Sequence, residues 1–374
     1  MANIMDYIAW RGDIGFALSP FNEVDNLIFS VLAYIDFDGI VPNDGEQGTV
    51  TLRQAWERFL REGREIKNLL FDPKPLFERA ALSERFGGVR VGRYVREISL
   101  EEQFQFAAVT FFPGDGTVYA AYCGTDDSIA GWREDFNFGY MERTRGQILA
   151  EEYLNSLMGE CKMKVRVGGH SKGGNLAVFA AAFCKEEYRP RIIRVYSNDG
   201  PGFSQEVVQS DEYLSVLDRV QLIIPELSLV GVLLNNKEEK KVVKSRGILQ
   251  HDPFMWEVTG PAFDEADRQS VPSVIAEQAF SRWLDGLDDE TKQKFISAVF
   301  GTLEATGAET FTEMNQSRLT YYTAIAKALR EMEPEKQQTV ADTLGRLMAS
   351  GWESIWDEAK KALLGLASGE SREK

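Results

Sequence analysis

The hydrophobic and polar positions of the chain change their spacing twice, near Glu102 and near Phe263. In the first stretch the spacing is helical. Pro20 to Tyr34 sets Val24, Leu27, Ile28, Val31 and Leu32 on one face, and Thr51 to Asn68 predicts a second helix with a dense charged face. The first hundred residues are therefore expected to be mostly helical, with irregular connections.

After Glu102 short apolar runs alternate with helical patterns. Phe104 to Phe112 reads as a strand ending at the turn Pro113-Gly114-Asp115-Gly116, and Val118 to Tyr122 as its hairpin partner. Gln147 to Gly159 predicts a helix, Lys164 to Val167 a strand, Ser171 to Tyr188 an alanine-rich helix, and Arg191 to Ser197 and Val220 to Ile224 two more strands. Strands alternating with helices imply a mostly parallel sheet with helices on both faces. Beyond Phe263 the strand signals cease. Val274 to Leu287, a segment capped near Asp288 or Asp289, Thr312 to Met332, and a stretch after Pro334 predict a C-terminal helical bundle or cap. The expected division is an α/β domain over 1–263 and a helical region over 264–374.

Charge and composition exclude several classes. With 42 basic and 58 acidic residues the net charge is −16, which opposes a general attraction to nucleic acid. The most basic segment, Lys237 to Arg246, reads as a solvated loop or edge strand. No apolar run reaches the roughly 20 residues of a membrane span, and the N-terminus lacks the pattern of a secretory signal. Three cysteines without CxxC spacing make neither a disulfide framework nor a zinc ribbon, so a reduced, cytoplasmic protein is expected. With only two histidines, His170 and His251, and no HExxH or EF-hand pattern, no metal or other cofactor is expected.

The most informative segment is Gly169-His170-Ser171-Lys172-Gly173, a G-x-S-x-G motif between a strand and an amphipathic helix. A sharp strand-to-helix turn lifts a serine hydroxyl off the sheet and places the next N–H, that of Lys172, at a helix N-terminus, where it can stabilise an oxyanion. A serine nucleophile needs a base. His170 adjoins the serine and should point elsewhere, as a structural residue. His251, 251 − 171 = 80 residues downstream, is then the candidate base. Asp199, at the end of the strand after the motif, is the first candidate acid, and gives the chain order nucleophile, acid, base. Glu226, Asp218 and Asp252 are alternatives.

These segments resemble the α/β-hydrolase superfamily and, within it, the class 3 lipases. GHSKGGNLA around Ser171 is similar to that family's serine elbow, and Tyr122-Cys123-Gly124-Thr125-Asp126-Asp127, with Trp132 and Asp135 following, is similar to its oxyanion segment. The resemblance implies that the Thr125 N–H is the second oxyanion donor. YIAWRGD, SNDGPGF and VVKSRGILQHDPFMW look closer still to a bacterial branch of lipase-like proteins of unknown function. Cys123 stands where class 3 lipases usually have arginine, and Lys172 where they have leucine. Ser228 falls where they carry the acid, a departure that favours Asp199.

The expected activity is that of a serine esterase or lipase acting on a small-molecule or lipid ester. The segment from Gly131 to Arg145, with Trp132, Phe136, Phe138 and Tyr140, is a candidate lid. The rival expectation is a non-catalytic hydrolase-fold binding protein whose C-terminal helices dock a protein partner or a membrane surface.

Overall fold

The computed structural model describes residues 2–271 except 47, 66–70, 127, 139, 140, 142, 248 and 249, together with 273, 274, 277, 290, 291, 293, 294, 297 and 300. The side chains of Trp132 and Phe136 are also outside the described set, as is nearly all of the expected C-terminal helical region.

Eight strands form one sheet, and their spatial order follows the chain: β1 (Val50–Thr51), β2 (Arg90–Ser99), β3 (Phe104–Phe112), β4 (Thr117–Tyr122), β5 (Lys164–His170), β6 (Ile192–Asn198), β7 (Val220–Pro225) and β8 (Lys240–Val243). The first four pair antiparallel, and β4 to β8 pair parallel. This is an α/β-hydrolase-like sheet.

Eight helices matter for the site: α1 (Ile4–Arg11), α2 (Glu23–Leu32), α3 (Leu52–Arg61), α4 (Lys74–Leu82), α5 (Glu84–Gly87), α6 (Ile129–Asn137), α7 (Arg145–Glu160) and α8 (Lys172–Phe183). Parallel strands laid down in sequential order by right-handed crossovers put their connecting helices on one face. That face is covered by α7 and α8, which pack on Phe104, Phe106, Ala108, Val118, Ala120 and Tyr122. The alternate residues Ala107, Val109, Phe111, Tyr119 and Ala121 point the other way, into a core closed by α1 to α4. The N-terminal hundred residues are thus the second layer of the sandwich.

The first hundred residues are not simply helical. Residues 90–99 form β2, which the charges of Arg90, Arg93, Arg96 and Glu97 hide from an alternation pattern. A bulge between Gly92 and Val95 interrupts its pairing with β3, and Arg93 sits at φ 56°. There Arg93 bonds Asp44 and Glu160, at 2.6 and 2.5 Å. The helix expected from Ser171 to Tyr188 begins at Lys172 and stops at Phe183, and a 3₁₀ turn follows from Glu186 to Arg191. The basic segment 237–246 contains the edge strand β8, whose Lys240 and Lys241 pair with Glu277 and Glu23.

A buried polar layer joins the two halves under the serine turn. The Asn198 amide donates to Asn26 Oδ1, to Ser30 Oγ and to the Gly169 carbonyl, at 3.0–3.1 Å. Asn26 returns a bond to Asn198 Oδ1 at 2.8 Å. These contacts fix α2 against the ends of β5 and β6.

Candidate active site

Strand β5 runs straight into the serine turn. Ser171 takes φ 58° and ψ −132°, a strained conformation for a residue with a side chain. Two hydrogen bonds hold it there: its N–H donates to the Asn198 carbonyl at 2.9 Å, and its carbonyl accepts from Gly174 at 2.8 Å. The turn also requires glycine on both sides, since a Cβ at Gly169 would overlap Gly173 and one at Gly173 would overlap the Tyr122 carbonyl.

The end of the next strand carries a second strained residue. Asp199 has φ 51°, is fully buried, and donates its N–H to Ile223 on β7 at 2.7 Å. Both of its carboxylate oxygens are hydrogen-bonded. Oδ2 accepts from His251 Nδ1 at 2.6 Å, and Oδ1 accepts from Ser228 Oγ at 2.5 Å and from the Gly231 N–H at 3.0 Å. Of the candidate acids, Asp199 is therefore the partner of the histidine. Glu226 lies half-buried after β7, Asp252 caps the Phe254 N–H at 2.9 Å, and Asp218 pairs with Arg219. Ser228, in the loop after β7, thus donates to the candidate acid at the end of the neighbouring strand β6.

His251 is held by its backbone as well. Trp256 Nε1 donates to the Gln250 carbonyl at 2.8 Å, and His170 Nε2 to the His251 carbonyl at 2.8 Å. A carbonyl only accepts, so His170 carries its proton on Nε2, and its Nδ1 accepts from the Tyr34 hydroxyl at 3.0 Å. Burial, followed by the proximity of His251, lowers the His170 pKa well below the usual histidine value. The two imidazoles lie 4.6 Å apart. His170, expected to be structural and to point away from the serine, is fully buried and packs against His251. No local pattern signals this pairing, because it depends on a loop about 80 residues away.

Thr125 lies in the loop that follows β4, and Lys172 is the first residue of α8. The Thr125 hydroxyl donates to Asp135 Oδ2 on α6 at 2.5 Å. Burial pushes the Asp135 carboxyl up to about 7, against the Lys172 ammonium and the Thr125 hydrogen bond, which pull it down. The Lys172 side chain is fully buried, and its Nζ donates to the Gln105 carbonyl at 2.6 Å, to Gln105 Oε1 at 2.7 Å and to Glu134 Oε2 at 3.0 Å. Burial alone would lower its pKa, but Glu134, Asp135 and Asp126 outweigh it and keep the ammonium charged. The serine motif by itself gives a role only to the Lys172 backbone N–H. The one signal of its side chain was a lysine in a turn where leucine is usual.

Cys123 is no rival nucleophile, since burial raises its thiol to about 12. Among the described residues, no cluster of His, Cys, Asp and Glu could hold a metal ion, and no helix is long and apolar enough to cross a membrane. Of the candidate lid, α6 is an anchored helix and Phe138 is buried, while Tyr140 lies outside the described residues.

The sheet and the serine turn at its edge define a lipase-like α/β-hydrolase relative. The chain belongs to the Mbeg1-like family, whose model matches residues 80–301, more than half of its length. No curated protein sequence matches it. Among solved structures it is similar to the native propeptide complex of Rhizomucor miehei lipase, at 14% identity and a TM-score of 0.35, over 62% of this chain and 76% of that one. It is likewise similar to lipase II from Rhizopus niveus, at 16% identity and a TM-score of 0.35, over 62% of this chain and 85% of that one.

Proposed function

We propose that the protein is a serine hydrolase of carboxylic esters, with Ser171 as nucleophile, His251 as base and Asp199 as the acid that orients it. The observation that carries this reading is the 2.6 Å bond between His251 Nδ1 and the buried Asp199 carboxylate, beside a serine in a strained turn. With Nδ1–H committed to Asp199, Nε2 is the nitrogen that takes a proton.

Ser171 Oγ attacks the ester carbonyl carbon as its proton passes to His251 Nε2. The carbonyl electron pair moves to oxygen, and that oxyanion is met by the backbone N–H groups of Thr125 and Lys172. The Thr125 hydroxyl is engaged by ionised Asp135, so in that state the backbone supplies the donor. The tetrahedral intermediate collapses, and the alkoxide leaves with the proton from His251. Water then attacks the acyl-enzyme, giving its proton to His251. Ser171 recovers that proton as the carboxylic acid departs.

A non-catalytic binding protein has no need of a carboxylate behind its histidine. The Asp199–His251 bond supports the catalytic reading instead. A fluorophosphonate probe tests it: adduct formation at Ser171, read by peptide mass spectrometry and lost in His251→Ala, is expected. Full esterase activity in Ser171→Ala, where a loss of several orders of magnitude is expected, would overturn it.

A further inference from the structure

Within the site read above as a serine hydrolase, one buried group has no part in the chemistry just described: the side chain of Lys172. The residue supplies one proposed oxyanion donor through its backbone. Its side chain, 0% exposed, runs from the first turn of α8 to the end of the sheet. It meets two elements there. On β3 it bonds both oxygens of Gln105, and on α6 it pairs with Glu134, itself 1% exposed.

Glu134 extends the connection. Its Oε1 accepts from the Gly146 N–H at the start of α7 at 2.7 Å, and its Oε2 also accepts from the Gln105 N–H at 3.2 Å. The next residue on α6, Asp135, holds the hydroxyl of Thr125, the residue of the other donor. A continuous path therefore links the two proposed donors: Lys172 backbone, Lys172 ammonium, Glu134, Asp135, Thr125.

We propose that the Lys172–Glu134 ion pair is a positioning device, which fixes α6 against the serine turn and so sets the two oxyanion donors at one separation. A buried ion pair is a poor source of stability, because desolvation offsets its attraction, but it specifies one geometry. An apolar side chain here would fill the space without fixing the rotation of α6. The leucine usual at this place in class 3 lipases makes no such link.

The experiment compares Lys172→Met, Glu134→Gln and the double variant Lys172→Met/Glu134→Gln, which removes both charges but keeps an acceptor for the Gly146 N–H, with the wild-type full chain. Read out are the rate of fluorophosphonate labelling at Ser171, kcat and KM on a p-nitrophenyl ester, and the melting temperature. Each single variant leaves a buried partner unpaired, so both lower stability. The double variant removes both charges and regains most of the melting temperature. A pair that served stability alone would regain activity with it. The expected result is that the double variant stays about 10- to 100-fold below wild type in kcat and in labelling rate, with KM within about three-fold, as for misplaced groups in an intact site.

The pH profile gives a second readout. Asp135 is faced by Lys172, Glu134, His251 and Thr125. Losing the Lys172 cation moves any ionisation seen at this site to higher pH, and neutralising Glu134 moves it to lower pH. A simple loss of stability would not split the two. Wild-type kcat and labelling in a refolded double variant would overturn the inference and leave the serine assignment standing. Wild-type protein that never labels at Ser171 would overturn both.

Discussion

His170 donates from Nε2 to the carbonyl oxygen of His251 at 2.8 Å, so the histidine beside the serine holds the loop that carries the proposed base. With Tyr34 bonded to its other nitrogen, its position is fixed from both sides. His170→Ala is expected to lower the rate of Ser171 labelling by about ten-fold or more and to destabilise the fold by about 2–4 kcal/mol, through a cavity and an unpaired carbonyl. Labelling kinetics and urea unfolding check both numbers.

His170 also sets an acid limit. Its folded pKa is depressed below that of the unfolded chain, so at low pH the unfolded state binds the extra proton. Its contribution is therefore intact above pH about 6.5 and is lost as pH falls below that value. Melting temperatures measured from pH 7.5 down to 5 should fall less steeply in His170→Ala than in the wild type.

Asp199→Asn should cost about 10⁴-fold in kcat, because an amide no longer fixes the histidine tautomer. Glu226→Gln should leave kcat within about two-fold. Ser228→Ala removes one of three bonds to Asp199 and is expected to cost only a few-fold. Steady-state kinetics on one ester rank the three variants, and a large loss at Glu226 with none at Asp199 would reverse the assignment.

Asp135 works in the opposite sense to His170. Its folded pKa, about 7, lies above the ordinary carboxylate range, so folding disfavours its charge. The penalty is absent below pH about 4, grows as pH rises towards 7, and reaches on the order of a few kcal/mol above it. Asp135→Asn should therefore raise the melting temperature at pH 8 and leave it nearly unchanged at pH 4. Calorimetry at the two values tests the sign.

The anchoring of α6 by Glu134 and Asp135 makes it a poor moving lid, since opening would unpair buried charge at a cost of about 3–5 kcal/mol. Hydrolysis of a short-chain ester should accordingly rise smoothly through the concentration at which the substrate forms micelles. A sharp jump there would show that this helix opens.

The strands from β3 to β7 were legible because each is a short apolar run closed by turn residues, and the serine turn because glycine spacing there is a steric demand. Strand β2 was not, since a bulge at Arg93 and four charges erase its alternation. The partners of His170 and Lys172 were equally hidden. What a buried polar side chain bonds is decided by which distant loop or helix the fold brings to it, and no local pattern encodes that. Asp199 lay between these cases: its place at a strand end could be read, but the bond to His251 needed the loop after β8.

The N-terminal layer touches the far end of the domain. Asn3 Nδ2 donates to the Phe254 carbonyl, and Val258 donates its N–H to the Ala2 carbonyl, each at 2.9 Å. These bonds join segments about 250 residues apart, and contacts so distant in the chain are slow to form. Ser171 leaves the ribosome 80 residues before His251, and the carbonyl to which His170 bonds is made only with His251 itself. During synthesis Ser171 is therefore made well before its proposed base, and the proposed chemistry must wait until the loop that carries His251 has been made and has docked on His170.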